Sequence, residues 1–347
     1  MQNTSYFNEQ NKEVNIKLKT ELASLPSFVM EFFLGIESKT TPLTRLGYLQ
    51  DLKIFFHFLT TEIAEFVGKD VLQVTFSDLN KLTSLHIEIF LNYLNLYEYN
   101  NKTYTNSSKS KARKLSSIRS FLKYYFKKEK IYTNVASKVD APKIKDKEIV
   151  RLEIDEVVKM LNQAEYGAQL TKQQQGFHKH TKTRDVAMLS LFLGTGIRIS
   201  ECVGINVDDI DFENSAFTVT RKGGNRVILY FNEEVKEALQ NYLVDRAKIK
   251  DLKETENALF LSLQKKRMNV RSVQELVKKY SLLSTPLKRI TPHKLRSTYG
   301  TNLYRETKDI YIVADVLGHK DVNTTKKHYA AISEDIRRDA ANKVKLR

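Results

Sequence analysis

Apolar residues recur at helical spacing from Pro26 onward. Phe28, Val29, Phe32 and Phe33 share one face, and Tyr48, Leu52, Phe55, Phe56 and Phe58-Leu59 share another. Thr41-Pro42 predicts the start of the second of these helices. The threonine is a cap, and proline loses nothing at the first helical position because that N–H has no intrahelical partner. A third segment, 85–96, repeats Ile87, Ile89-Phe90, Tyr93 and Leu94. The fourth, 109–129, sets Leu115, Ile118, Leu122 and Tyr125-Phe126 against a run of lysines and arginines. Residues 1–20 are polar and predict a frayed end, and 99–108 predict a polar loop. The pattern predicts a small all-helical domain over 22–133.

Periodicity then lapses. Residues 134–150 are charged, contain Pro142 and predict a linker. A second domain, 151–347, opens with a helix to about Asn162. A polar Gln- and Lys-rich insertion follows at 165–183, then a strongly apolar helix at 184–193. Residues 215–221 and 226–231 predict two strands joined by a hairpin turn at Lys222-Gly223-Gly224-Asn225. Helices dominate from 232 onward. The expected fold class is mainly α, with a small antiparallel β-sheet in the second domain.

Charge sharpens this picture. The 347 residues carry 57 Lys+Arg against 41 Asp+Glu, a net +16. Residues 1–100 hold 8 basic and 12 acidic side chains, whereas 101–150 hold 14 and 4. The basic block includes Lys109, Lys111, Arg113, Lys114, Arg119, Lys123, Lys127, Lys128 and Lys130, with Tyr124, Tyr125 and Phe126 among them. Such a stripe is the electrostatic footprint of phosphate-backbone binding, although a solvated helix face has the same composition. Hydrophobic residues at 41% exclude a disordered chain. No apolar run approaches the roughly 18 residues of a membrane span, so no membrane is expected. The polar start lacks a signal-peptide apolar core, and the expected location is the cytoplasm. One cysteine, Cys202, excludes an intrachain disulfide.

Four motifs carry candidate chemistry. In Gly194-Thr-Gly-Ile-Arg198-Ile-Ser-Glu201, an apolar helix stops at glycines and a new one begins near Arg198. Free N–H groups and a guanidinium there favour an anion, unless Arg198 only braces Glu201. At the hairpin tip, Lys222 on a Gly-Gly turn is either a mobile proton donor or a solvated turn residue. Thr291-Pro-His293-Lys-Leu-Arg296 starts a helix with imidazole and guanidinium on one face, three positions apart. Leu317-Gly318-His319 ends a helix, and Asn323 and Tyr329 follow. His178-Lys-His180 lacks nearby ligands at metal spacing.

Taken in order, Arg198, Lys222, His293, Arg296, His319 and Tyr329 resemble the active site of the tyrosine recombinase/integrase family. The resemblance covers 150–347 closely and the first half more loosely, and within the family it is nearest the Xer-type site-specific recombinases of Gram-positive bacteria. It implies a helical, SAM-like core-binding domain followed by a catalytic domain, the two gripping opposite faces of double-stranded DNA.

The implied chemistry suits these side chains. Arg198 and Arg296 would clamp the non-bridging oxygens of a phosphodiester. Tyr329 would attack and form a 3′-phosphotyrosine link, conserving bond energy without ATP. Lys222 would protonate the leaving 5′-oxygen, His293 would act as acid/base towards the phenol, and His319 would hydrogen-bond the phosphate. Positive side chains supply the charge, so neither a metal nor a cofactor is expected. Lys111, Arg113, Lys114 and Arg119 would lie mostly on DNA phosphates. The segment after Tyr329 would dock on a neighbouring subunit, implying a homotetramer across two recombination sites, with an accessory protein as a further partner. The spacing of ten from His319 to Tyr329 departs from the nine of many Xer-type members and is similar to some mobile-element integrases. Tyr304 and Tyr311 compete as nucleophiles but precede His319.

Helical periodicity begins near 26, leaving no evident extra arm-binding domain, which favours a Xer-like role in chromosome or plasmid dimer resolution. The alternatives are an integrase/excisionase-type recombinase of a mobile element, a type IB topoisomerase-like enzyme, and a DNA-binding regulator with a degenerate site.

Overall fold

The computed structural model describes residues 6–144, 150–221, 224–250, 252, 256–318 and 321–322. The chain divides into two compact units, Met1–Lys147 and Glu148–Arg347.

The first unit contains α1 (Tyr6–Leu22), α2 (Val29–Gly35), α3 (Pro42–Glu62), α4 (Phe76–Leu79), α5 (Ser84–Tyr93) and α6 (Ser108–Lys127). Thr41 starts α3 as its spacing predicts, accepting the Thr44 N–H at 3.3 Å, with Pro42 in the first turn. The apolar faces of α2, α3, α5 and α6 meet in one core around Phe32, Phe55, Phe56, Phe90, Phe121 and Tyr125, all fully buried. Each such side chain stabilises the unit by about 1.5–3 kcal/mol relative to exposure. The rings meet edge to face, as with Phe32 and Phe121 at 5.4 Å, the arrangement their quadrupoles favour.

Three details differ from the periodicity. Tyr6–Leu22 is a helix packed on α3, not a frayed end. Its only buried side chain is Leu18, and polar contacts such as Arg45 to Asn15 (3.1 Å) help to seat it, so no apolar period announces it. The polar 99–108 segment contains half of a hairpin, β1 (Tyr97–Tyr99) with β2 (Lys102–Tyr104). Asn100 and Asn101 turn it at φ 51° and 57°, a left-handed pair that asparagine tolerates. Finally, Val135–Lys138 forms a 3-10 turn, and Val135, Ala136 and Val139 are buried in this core, so the chain at 134–139 is packed rather than extended.

The second unit contains α7 (Ile154–Tyr166), α8 (Lys172–Thr195) and α9 (Ile199–Gly204), then the antiparallel strands β3 (Ile210–Asp211), β4 (Ala216–Thr220) and β5 (Arg226–Tyr230). After them come α10 (Glu233–Ala247), α11 (Val270–Ser284), α12 (Pro292–Thr307) and α13 (Ile310–Leu317). The β4–β5 register pairs Phe217 with Leu229 and puts Thr220 opposite Arg226, beside the expected turn. Helix α8 packs against α7, α10 and α12 and is the central element.

Much of the polar insertion at 165–183 therefore belongs to this central helix. Thr171 and Gln174 form a capping box that starts it. Its inward face in this stretch carries polar residues, which hides the period. His178 Nε2 meets the Ala164 carbonyl at 2.8 Å. Fully buried Asp185 gathers Arg184 (2.6 Å), Lys279 (3.0 Å) and Tyr280 (2.8 Å). Such a carboxylate stands burial only because it is fully hydrogen-bonded.

Candidate active site

Helix α8 ends at Gly196, which takes φ 62° as its C-cap. A β-carbon at Gly196 would run into the Tyr299 ring and Leu317, so glycine is required both by conformation and by contact. The chain re-enters helix at Arg198, the N-cap of α9. Glu201, buried in the first turn of α9, accepts the Arg198 N–H at 3.0 Å and its guanidinium Nη1 at 2.7 Å. Arg198 therefore does brace Glu201, yet its Nη2 remains directed elsewhere, donating to the carbonyls of Leu317 (3.2 Å) and Gly318 (3.0 Å).

Arg296 arrives from the first turns of α12. Thr291 and Pro292 start that helix at the expected place, although the Thr291 side chain makes no capping hydrogen bond. The Arg296 residue is 5% exposed, and its Nη1 donates to the Gly196 carbonyl at 2.6 Å while Nη2 donates to Leu317. His293 lies one turn earlier on α12 and is exposed. The two arginines that the sequence placed far apart thus meet at one carbonyl oxygen.

That oxygen belongs to the end of α13. Gly318 closes this helix at φ 61°. The last carbonyls of a helix lack intrahelical partners and carry partial negative charge, so they attract cations. Here Val316 accepts from Arg221 at 3.3 Å, Leu317 from Arg198 and Arg296, and Gly318 from Arg198. Arg221 was not among the residues expected from the sequence. The cue to it was its place at the end of a strand, immediately before Lys222. Lys222, His319 and Tyr329 lie outside the described residues.

The basic helix α6 divides its charges. Arg113 holds buried Asp51 through both guanidinium arms (2.6 Å for Nη2), and Ser117 joins at 2.7 Å. Lys114 is turned inward, 3.6 Å from Asp51, and burial pushes its ammonium below the usual lysine range against the pull of that carboxylate. Arg119 donates to the carbonyls of Ala136 and Val139 and anchors the 134–139 segment. Lys114 is thus turned away from the phosphate position expected of it, with its charge buried beside Asp51, whereas Arg119 is half-buried. Lys111 donates to Asn95. Lys109, Lys123, Lys127, Lys128 and Lys130 are exposed, as is part of Arg113.

Cys202 is buried, and burial followed by the neighbouring Glu201 charge pushes its thiol well above the usual range, which makes it inert. Among the described residues no group of three metal-ligating side chains occurs, and no helix is long and apolar enough to cross a membrane.

Known proteins are similar to this chain in sequence and fold. The sequence model of the phage integrase family matches residues 150–335. Tyrosine recombinase XerC of Caldanaerobacter subterraneus subsp. tengcongensis is 30% identical over 346 residues, covering 97% of this chain and 91% of the relative. Tyrosine recombinase XerS of Streptococcus thermophilus is 30% identical over 346 residues, covering 92% and 96%. The XerH site-specific recombinase, solved on a palindromic difH substrate, superposes with a TM-score of 0.66 at 16% identity, covering 95% of this chain and 88% of that one, a likeness of fold. With the family match spanning more than half of the chain and relatives aligning along nearly all of it, the chain belongs to the phage integrase family, the tyrosine recombinases.

Proposed function

We propose that the chain is a Xer-like site-specific DNA recombinase that resolves chromosome or plasmid dimers. The observation that carries the reading is the convergence of Arg198 and Arg296 on the Leu317 oxygen. Two guanidiniums directed at one oxygen form a cradle for a non-bridging phosphate oxygen. Because Glu201, Gly196 and α13 fix both side chains beforehand, little reorganisation is needed as charge builds in the transition state.

Strand cleavage then joins the Tyr329 Oη to phosphorus and breaks the bond to the 5′-oxygen. The phenol proton passes to His293, and the 5′-oxygen takes a proton from Lys222. His319 holds the phosphate. Rejoining runs the same steps backwards, with a 5′-hydroxyl as the attacking group. The 22–133 domain holds the duplex through the exposed lysines of α6 and Arg113 rather than through Lys114 or Arg119. Four copies act on two sites, in the cytoplasm on nucleoid DNA.

Plasmid resolution tests this reading. The half-site that the chain selects from random duplexes is cloned as two direct repeats in one supercoiled plasmid. The prediction is two circles, produced only when both repeats are present. Relaxation of a plasmid lacking the site would indicate a type IB topoisomerase instead. Retention of binding with neither product would indicate a regulator.

A further inference from the structure

The C-terminal end of α13 holds a third arginine that the proposed chemistry does not use. Arg221 ends β4. Its N–H donates to the Asn225 carbonyl at 2.8 Å, and its carbonyl accepts from Gly224 at 3.0 Å. These two bonds close the hairpin on either side of its tip. The side chain runs the other way, to the end of α13, where Nη2 meets the Val316 carbonyl at 3.3 Å. The guanidinium lies against Gly318, and a β-carbon there would run into it. Arg221 Nε is buried and has no hydrogen-bond partner among the described residues.

An unsatisfied buried N–H costs free energy, and a single 3.3 Å bond to a carbonyl offsets little of it. Stability alone does not account for this placement. Its geometric consequence does. Arg221 immediately precedes Lys222, and Gly318 immediately precedes His319. The guanidinium therefore ties the base of the hairpin to the helix end on which Arg198 and Arg296 converge.

We propose that Arg221 is a positioning residue for strand cleavage. It locks the β4–β5 hairpin to the end of α13, so that Lys222 is held in register with the arginine clamp and His319. This rests on the reading of Lys222 as the proton donor to the leaving oxygen. Without the lock the hairpin is free to swing, and misplacing an acid by about 1 Å costs on the order of 100-fold in rate.

The test replaces the leaving 5′-oxygen by sulfur. A thiolate departs without a proton because thiols are far more acidic than alcohols, so a defect in proton delivery disappears on the sulfur ester. The full chain is assayed on nicked duplexes carrying its selected half-site, with oxygen or sulfur at the cleavage position mapped with wild type. Lys222→Ala is expected to slow cleavage of the oxygen ester about 100-fold or more and to approach wild type on the sulfur ester. Arg221→Ala is expected to slow the oxygen ester about 10- to 100-fold, to recover in the same way, and to bind DNA as wild type does. Should Arg221→Ala fail to fold, Arg221→Gln, which keeps a donor for Val316 and loses the charge, is predicted to show a smaller loss with the same recovery. If Lys222→Ala recovers while the Arg221 variants stay equally slow on both esters, or show no loss on oxygen, the positioning role is wrong. If Lys222→Ala itself does not recover, the reading of Lys222 is wrong, and the inference falls with it.

Discussion

Arg198 and Arg296 come from different helices, α9 and α12, and both donate to the carbonyl oxygen of Leu317. The fold spends two buried or half-buried guanidiniums on one backbone atom, an arrangement that makes sense as a preformed anion site. Replacing either by lysine keeps the charge but loses the planar fork. Arg198→Lys and Arg296→Lys are each predicted to slow covalent complex formation about 100- to 1,000-fold. Duplex affinity, measured by gel shift, should stay within about threefold, because phosphate contacts outside the clamp would dominate it in the proposed complex.

Gly196 supports that site from behind. Its φ of 62° and the nearby Tyr299 and Leu317 both oppose a side chain, whereas Gly68, at φ 80°, has open space around it. Gly68→Ala isolates the conformational cost, about 1–2 kcal/mol. Gly196→Ala adds a clash and is predicted to lose about 2–4 kcal/mol in urea unfolding. It should also slow cleavage, since the Gly196 carbonyl holds Arg296 at 2.6 Å.

Asp51 is the charged centre of the first unit, 1% exposed and shared by Arg113, Lys114 and Ser117. Asp51→Ala leaves the Lys114 ammonium buried without its counter-charge. The predicted loss is about 3–5 kcal/mol in denaturant unfolding. Asp51→Ala combined with Lys114→Met should recover much of it, because removing both charges removes the penalty.

Asp78 predicts a pH dependence. Its carboxylate accepts the Thr75 N–H and hydroxyl, both at 2.9 Å, and an ammonium hydrogen from Lys69. Burial raises its pKa, but the bonds from Lys69 and Thr75 together outweigh burial and hold it below the ordinary carboxylate range. A depressed folded pKa means that the stabilisation is full above the unfolded value of about 3.9 and is lost as pH falls through the folded value. At pH 7, Asp78→Asn is predicted to be less stable than wild type by about 1.5–3 kcal/mol. The gap should close as unfolding is measured from pH 5 downwards.

The sequence showed those parts of the molecule where burial is apolar. Helices α2, α3, α5 and α6 bury phenylalanine, leucine and isoleucine, and their faces are plain in the spacing. Helix α1 and the first half of α8 were hidden because their inward sides are seated by Asn15, His178 and Thr181, polar residues that read as a frayed end or an insertion. The β1–β2 hairpin turns on two asparagines that a polar reading absorbs. At the site, Arg198, His293 and Arg296 were recognisable as types in order. What joins the two arginines was not, because the acceptors are backbone carbonyls and Leu317 names no chemistry. The same reason hid the inward roles of Lys114 and Arg119. A basic residue looks alike in sequence whether its partner is a phosphate or a buried carbonyl.

The central claim is that Tyr329 links the chain covalently to DNA. The direct measurement incubates wild type and Tyr329→Phe with a duplex nicked beside the cleaved phosphate, so that the released fragment diffuses away and the intermediate is trapped. The prediction is an SDS-resistant protein–DNA band with wild type and none with Tyr329→Phe, at equal DNA affinity. A band that survives Tyr329→Phe would contradict the assignment and direct attention to Tyr304 or Tyr311.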